Sequence, residues 1–482
     1  MRWNNLVNIL GILIIAIGLA MIFPLLCSFY YFDHSYHAFI KSIIIALSLG
    51  LLLHGVFRKH RFDYISPREG MAVVAIGWTA IGLVGALPFY FSGYFEFFVD
   101  AFFESVSGFT TTGSSVITDI EALPRAILFW RSLIQWLGGM GIIVLSLAIL
   151  PFLGVGGMQL YKAEVPSPVP DKLKPRLSET AMILWKVYAL ISLAQFILLW
   201  LGGMTVFDSL CHTFTTMPTG GFSTRNTSIA HYDSLYFDCV IILFMVISGI
   251  NFSLHYQFLK GKPLAFWRDR ECRFFIGIFL LFTALVSYDT YGSVYKTIID
   301  AVRYSAFQVA SIVTTTGYAT ADYELWPGMS QVILFVCMFL GASAGSTGGG
   351  VKCIRVMLCF KYCYRELFAL IHPRAVSQVK MAGKTVPEDV MKSIMGFLAL
   401  YMGLYVICSI ALAGLGVDLV TSLTAVASCI GNVGPGFGMV GPTENFAMIP
   451  KAGKWLLIWC MLLGRLEIYT VVILLVPEFW RK

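Results

Sequence analysis

The chain has 482 residues, of which 58% are hydrophobic and only 13% charged, a balance too apolar for a water-soluble protein of this length. Its formal net charge of +7 does not point to nucleic acid, because the basic residues fall in short segments between apolar runs and not in one patch. The 11 cysteines form no CxxC pair and sit mostly in apolar runs, so they read as small buried hydrophobes; Cys359 and Cys363 share a helix face, but no His or carboxylate joins them as a metal ligand set.

Apolar stretches long enough to cross a ~30 Å hydrocarbon core begin with residues 6–26, continue with 39–57 and recur to 455–476, leaving no room for a soluble domain between them. The first lacks a small-residue cleavage site and reads as a retained helix, not a signal peptide. The class is an all-α membrane protein of about ten spans. Basic residues cluster at Arg58, Lys59, Arg61 and Arg68, at Lys162, Lys172, Lys174 and Arg176, at Lys260, Lys262, Arg268, Arg270 and Arg273, in the stretch 361–392, and at Arg481-Lys482. The positive-inside rule makes these cytoplasmic, opposite Asp119, Glu121, Asp322, Glu324 and Glu444; Arg125, Arg225, Lys451 and Lys454 are exceptions.

After two leading helices in residues 1–68, one unit repeats at roughly hundred-residue intervals, over 69–160, 161–262, 263–366 and 367–482. Each unit is a spanning helix, a short apolar segment, a Gly/Thr loop and a second spanning helix. Asp100, Asp208, Asp300 and Asp418 open the short segments and are expected to be their helix N-caps. These segments are too short to span, so they dip in and return through Thr110-Thr111-Thr112-Gly113-Ser114, Met217-Pro218-Thr219-Gly220-Gly221, Thr314-Thr315-Thr316-Gly317-Tyr318 and Gly431-Asn432-Val433-Gly434-Pro435. Bare backbone at membrane depth survives only when buried in protein or lining a water-filled path. Four such loops on one axis satisfy both conditions, with carbonyl oxygens replacing a cation's hydration shell and helix C-termini adding negative potential. Glycine in each loop permits a positive φ. The bland alternative, small residues serving turns or close helix packing, fits one such loop better than four in series.

At these residues the sequence resembles the superfamily of Trk, Ktr and plant HKT potassium transporters, most of all its bacterial TrkH branch. The similarity extends through Gly138-Gly139-Met140-Gly141, the run 153–161, the run 341–350 and Gly464-Arg465-Leu466-Glu467. The resemblance implies a potassium filter at Gly113, Gly220, Gly317 and Gly434, with carbonyls from Thr111-Thr112, Pro218-Thr219, Thr315-Thr316 and Asn432-Val433. Gly113, where sodium-favouring relatives often carry serine, argues for potassium. Pro218 keeps its carbonyl but removes a donor and fixes φ, so the second loop is expected to depart in local geometry.

The glycines of 341–350 break the helix that starts near Ser330, each at a cost of up to ~1 kcal/mol, and imply a loop in mid-membrane. A packing notch for a neighbouring helix is the other reading. The resemblance makes this loop, Gly345-Ser346-Thr347-Gly348-Gly349-Gly350, an intramembrane gate. Arg465, in an apolar span, must face water or a partner. A pair with Glu467 is one possibility, although i,i+2 places the two on different faces; the resemblance implies a barrier to cations below the filter. No Walker or GxGxxG motif is present, so nucleotide control would come from another chain. The resemblance implies a cytoplasmic nucleotide-binding subunit of TrkA type, a homodimer and the bacterial inner membrane, with potassium as substrate and no cofactor. The eight histidines are scattered and suggest no enzyme. A cation symporter coupled to protons or sodium and working by alternating access is the rival, although such folds usually carry inverted repeats and buried ionisable residues.

Overall fold

The computed structural model describes residues 3–57, 66–148, 173–375, 377–381 and 384–481. Arg58, Lys59, Arg61, Lys162, Lys172 and the 153–161 motif lie outside them. Among the described residues the fold is all-α apart from one two-stranded ribbon, Lys380–Met381 with Lys384–Thr385. Among the described residues, 7 helices are long and apolar enough to cross a membrane, and up to 9 if two sharply bent pairs each count as one span. A further crossing is interrupted: Gly328–Leu340 and Cys353–Ile371 are separated by the glycine-rich segment. Large apolar side chains such as Ile44, Leu51, Leu52, Leu280, Leu281 and Ile410 point outward, as lipid-facing surfaces require.

The leading helices, Trp3–Ala20 with its continuation Ile22–Tyr31, and Tyr36–Phe57, lie against each other and against the first repeat. That repeat starts at Pro67–Gly85, where Ser66 and Glu69 form a capping box. Its short helix Phe98–Phe109 is followed by Arg125–Ala148. The second repeat comprises Leu173–Leu201, Val206–Thr216 and Leu235–Ser248, the last bent by 102° into Phe252–Leu259. Arg270–Thr290 and Ile298–Val313 precede the interrupted crossing of the third. Glu388–Gly414, Leu419–Gly431 and Lys451–Arg465 build the fourth.

The four short helices have 12, 11, 16 and 13 residues. At 1.5 Å per residue none exceeds about 24 Å, short of a ~30 Å core. Their capping differs from expectation. Asp418 alone is an N-cap, accepting from Thr421 N. Thr205 and Thr297 cap the second and third helices, with Asp208 and Asp300 two residues inside the start, each backbone N–H donating to the threonine hydroxyl. Asp100 sits in the same position behind Phe97 and pairs with Lys454 at 2.6 Å. Asp100, Asp208 and Asp300 still lie in the first turn, where the dipole favours them, and in the second and third helices threonine makes the cap.

The last apolar stretch, read from sequence as continuous over 455–476, is broken: Lys451–Arg465 and Ile468–Leu475 meet at 117°. A Cβ on Gly464 would lie 2.0 Å from Ile430 O, so the helix presses on the end of the fourth short helix. Beyond that contact Arg465 turns to Thr347, and Glu467, at φ 61, turns to Arg355.

Candidate functional site

Each short helix ends in the same way. The backbone N–H of Thr112 donates to Ser107 O at 2.9 Å, Gly220 to Thr215 O at 2.8 Å, Thr316 to Ser311 O at 2.8 Å and Val433 to Ser428 O at 2.9 Å. The residue before each, Thr111, Thr219, Thr315 and Asn432, has φ of 52, 56, 61 and 55°. This is a Schellman ending with threonine or asparagine where glycine is usual. A β-branched residue in the left-handed region carries strain of about 1–3 kcal/mol, tolerated where the surroundings over-determine it.

The repeated bonding sets the register, and in the second loop it corrects the sequence reading by one residue. Gly113, Gly317 and Gly434 have φ of 85, 82 and 111°, but their counterpart is Gly221 at 75°, not Gly220. Gly220 instead stands with Thr112, Thr316 and Val433, and the carbonyl pair of the second loop becomes Thr219-Gly220 in place of Pro218-Thr219. With two glycines adjacent, either could take the left-handed position; the bonds from Gly220 N and Gly221 N to Thr215 O select the second.

In this register the loops close on one another. A Cβ on Gly113 would fall 2.2 Å from Gly220 O, one on Gly221 1.9 Å from Thr316 O, one on Gly317 2.1 Å from Val433 O and one on Gly434 2.9 Å from Thr112 O. Each glycine therefore faces the carbonyl of the next repeat, in cyclic order. Only glycine satisfies both the dihedral and the contact. Gly113, Gly221, Gly317 and Gly434 line one outward-opening cavity of about 90 Å³. The polar atoms brought together there include main-chain oxygens, threonine hydroxyls and the Asn432 amide.

A second layer holds the outer limbs. Glu104 accepts from Val116 N at 3.1 Å, Gln308 with its amide turned to fit accepts from Thr320 N at 2.8 Å, and Thr424 Oγ1 accepts from Phe437 N at 3.0 Å. His212 Nε2 meets Ser223 Oγ at 3.1 Å. Glu104, fully buried, also pairs with Arg131 at 2.8 Å, and Arg131 donates to Ser223 O across the repeat boundary at 3.1 Å. Sequence reasoning missed these residues, although Glu104 and Arg131 are charges inside apolar segments, which is itself a signal. Farther out, burial pushes the Glu324 carboxyl above its usual range; the Gly438 N–H opposes this, and Asp322 and Glu444 add to it.

On the side away from the cavity, residues 341–352 form the irregular segment between Gly328–Leu340 and Cys353–Ile371. Gly349 N donates to Thr315 Oγ1 at 2.7 Å, Thr347 Oγ1 to Met217 O at 2.9 Å, and a Cβ on Gly349 would lie 2.3 Å from Gly431 O. The loop thus abuts the C-terminal ends of three short helices. Arg465 Nη1 donates to Thr347 O at 2.8 Å, while its Nε and Nη2 have no partner among the described residues. Glu467 pairs with Arg355 at 2.6 Å and not with Arg465. Gly345, Ser346, Gly348, Gly349, Gly350 and Arg465 line a cavity of about 40 Å³. Glu271 Oε1 accepts from Ala344 N at 2.7 Å and Ile354 N at 3.1 Å, gripping both ends of the loop.

The TrkH family model, described as a cation transport protein, matches residues 35–482. The chain is 42% identical to the Trk system potassium uptake protein TrkH of Escherichia coli K12 over 486 residues, with 100% of both chains covered. It is 36% identical to TrkG of the same organism, covering 98% of this chain and 97% of TrkG. The crystal structure of the potassium transporter TrkH from Vibrio parahaemolyticus superposes with a TM-score of 0.92 at 38% identity and full coverage of both chains.

Proposed function

This chain belongs to the TrkH family of cation transport proteins, and from that premise we propose that it takes up potassium through a channel-like path across the bacterial inner membrane. It is a multi-pass membrane protein whose relatives are named as transporters, and its work is permeation rather than catalysis. The carbonyls of Thr111-Thr112, Thr219-Gly220, Thr315-Thr316 and Asn432-Val433 replace water around a dehydrated ion, with Gly113, Gly221, Gly317 and Gly434 holding the ring shut. The observation that carries this reading is the closed cycle in which each glycine meets the next repeat's carbonyl oxygen.

Below the ring, Gly345–Gly350 is the gate and Arg465 an electrostatic barrier. Retraction of the loop has to break the Gly349–Thr315 and Thr347–Met217 bonds, and moving Thr347 takes Arg465's acceptor away. Mechanical coupling to a cytoplasmic nucleotide-binding subunit of TrkA type, and assembly as a homodimer, complete the proposal on family membership. The repeats follow one another around a ring in sequence order, which favours a fixed pore over alternating access between inverted halves.

Flux of K+, Rb+ and Na+ into liposomes holding the purified protein, with and without an imposed pH gradient, tests the reading. Potassium and rubidium flux that exceeds sodium flux and is indifferent to the pH gradient is expected. Uptake that requires the proton gradient would overturn permeation in favour of symport.

A further inference from the structure

Resting on the filter reading above, we propose that Gln135 is a positioning residue for the second loop and sets how well the ring discriminates potassium from sodium. The four loops are not stiffened alike. In the first, Thr110 Oγ1 and Thr112 Oγ1 share a hydrogen bond at 2.7 Å; in the third, Thr314 Oγ1 and Thr316 Oγ1 do so at 2.8 Å. In the fourth, Asn432 Nδ2 donates to Thr112 Oγ1 at 2.9 Å and to Met461 O at 3.0 Å. The second loop carries Pro218 and Gly220 at the two bracing positions, and neither has a hydroxyl.

Gln135, on the Arg125–Ala148 helix and fully buried, supplies what is missing. Its Nε2 donates to Gly220 O at 2.7 Å and its Oε1 accepts from Phe222 N at 3.2 Å, so one amide spans the turn around Gly221. A Cβ on Gly220 would lie 2.4 Å from Gln135 Cδ: the amide occupies the volume that a threonine side chain fills at the same place in the first and third loops. A carbonyl oxygen has two lone pairs, so Gly220 O, which faces Gly113, accepts from Gln135 and keeps a second lone pair for an ion. Sodium is smaller than potassium and needs the ring oxygens to close in; a carbonyl held from behind resists that movement.

The test compares full-length variants in liposomes. Gln135→Met keeps length and volume but neither donates nor accepts as the amide does, and it should lower the K+/Na+ flux ratio roughly three- to tenfold, the effect of one hydrogen bond on an equilibrium. Gly220→Thr alone should lose flux through collision with Gln135. Combined with Gln135→Ala it should recover both flux and ratio, because threonine then fills the space as it does in the other loops. A merely structural role would not yield this exchange. An unchanged ratio in Gln135→Met overturns the proposal. If Gly317→Ala, whose Cβ strikes Val433 O, lowers the ratio in the same assay, the filter reading survives that failure; if it too leaves the ratio unchanged, the filter reading falls as well. Should Gln135→Met not accumulate, absence of recovery in the double variant relative to Gln135→Ala overturns the assignment.

Discussion

Replacing each of two adjacent glycines with alanine decides the register of the second loop. Gly221→Ala puts a Cβ 1.9 Å from Thr316 O, where 3.0 Å is the floor, so the neighbouring carbonyl must retreat by about 1 Å. It also holds alanine at φ 75°, at a cost of about 1–2 kcal/mol. Displacements of about 1 Å in pre-organised sites cost on the order of 10²-fold in rate, and a loss of that size in potassium uptake is expected, with discrimination against sodium falling alongside. Gly220→Ala meets a different obstacle. Its φ lies outside the left-handed region and the new Cβ meets the Gln135 amide and not backbone, so a loss of uptake of only severalfold is expected, with the K+/Na+ ratio falling as the Gln135 brace is displaced. Uptake into liposomes, normalised to folded protein by size-exclusion profile and thermal melting, measures both. Gly220→Ala as damaging as Gly221→Ala would refute the offset and restore the register first expected from sequence.

Three further outcomes follow from the same geometry. Arg465→Ala removes the buried charge that rests on Thr347 O and should raise basal cation leak several-fold in liposomes; unaltered leak removes its barrier role. Glu271→Ala releases both ends of the 341–352 segment, each hydrogen bond contributing roughly 0.5–1.5 kcal/mol. Its expected signature is leak without the regulatory partner, and a tight, still regulated variant would count against the loop as gate. Glu104→Ala leaves Arg131 buried without its partner and should cost about 3–5 kcal/mol of stability in denaturant unfolding, whereas the double replacement Glu104→Gln with Arg131→Met should cost less. Equal losses in the two would show that packing, not the stranded charge, dominates.

The re-entrant plan was legible because it follows from one-dimensional quantities: a helix of 12 or 13 residues cannot cross, an acidic residue marks its start, and a glycine marks its return. Errors arose where two nearby residues carry the same local signal. Threonine and aspartate both favour helix starts, so Thr205 and Thr297 hid behind Asp208 and Asp300. Gly220 and Gly221 both permit a turn, and only the bonding back to Thr215 separates them. The braces were out of reach because Gln135 meets a partner 85 residues away, and its helix shows no periodicity that singles it out from its neighbours. The bend after Arg465 was illegible for the same reason, since the helix stops against Ile430 O and turns toward Thr347 and Arg355, all contributed by other parts of the chain.

These misses share a cause that bears on function. A ring made of main-chain oxygens needs almost no particular side chain at the ion, so its four loops are free to differ in sequence provided glycine keeps the return. What must then differ in compensation is the layer behind, where a threonine pair, an asparagine or a glutamine from another helix each restrains a carbonyl whose own residue cannot. On the filter reading, identity at the ring is a backbone property, while the stiffness proposed to separate ions of the same charge resides in the side chains behind it. For that reason the second loop, whose brace is the Gln135 amide of a different helix, is the place where a substitution far from the axis is expected to change selectivity.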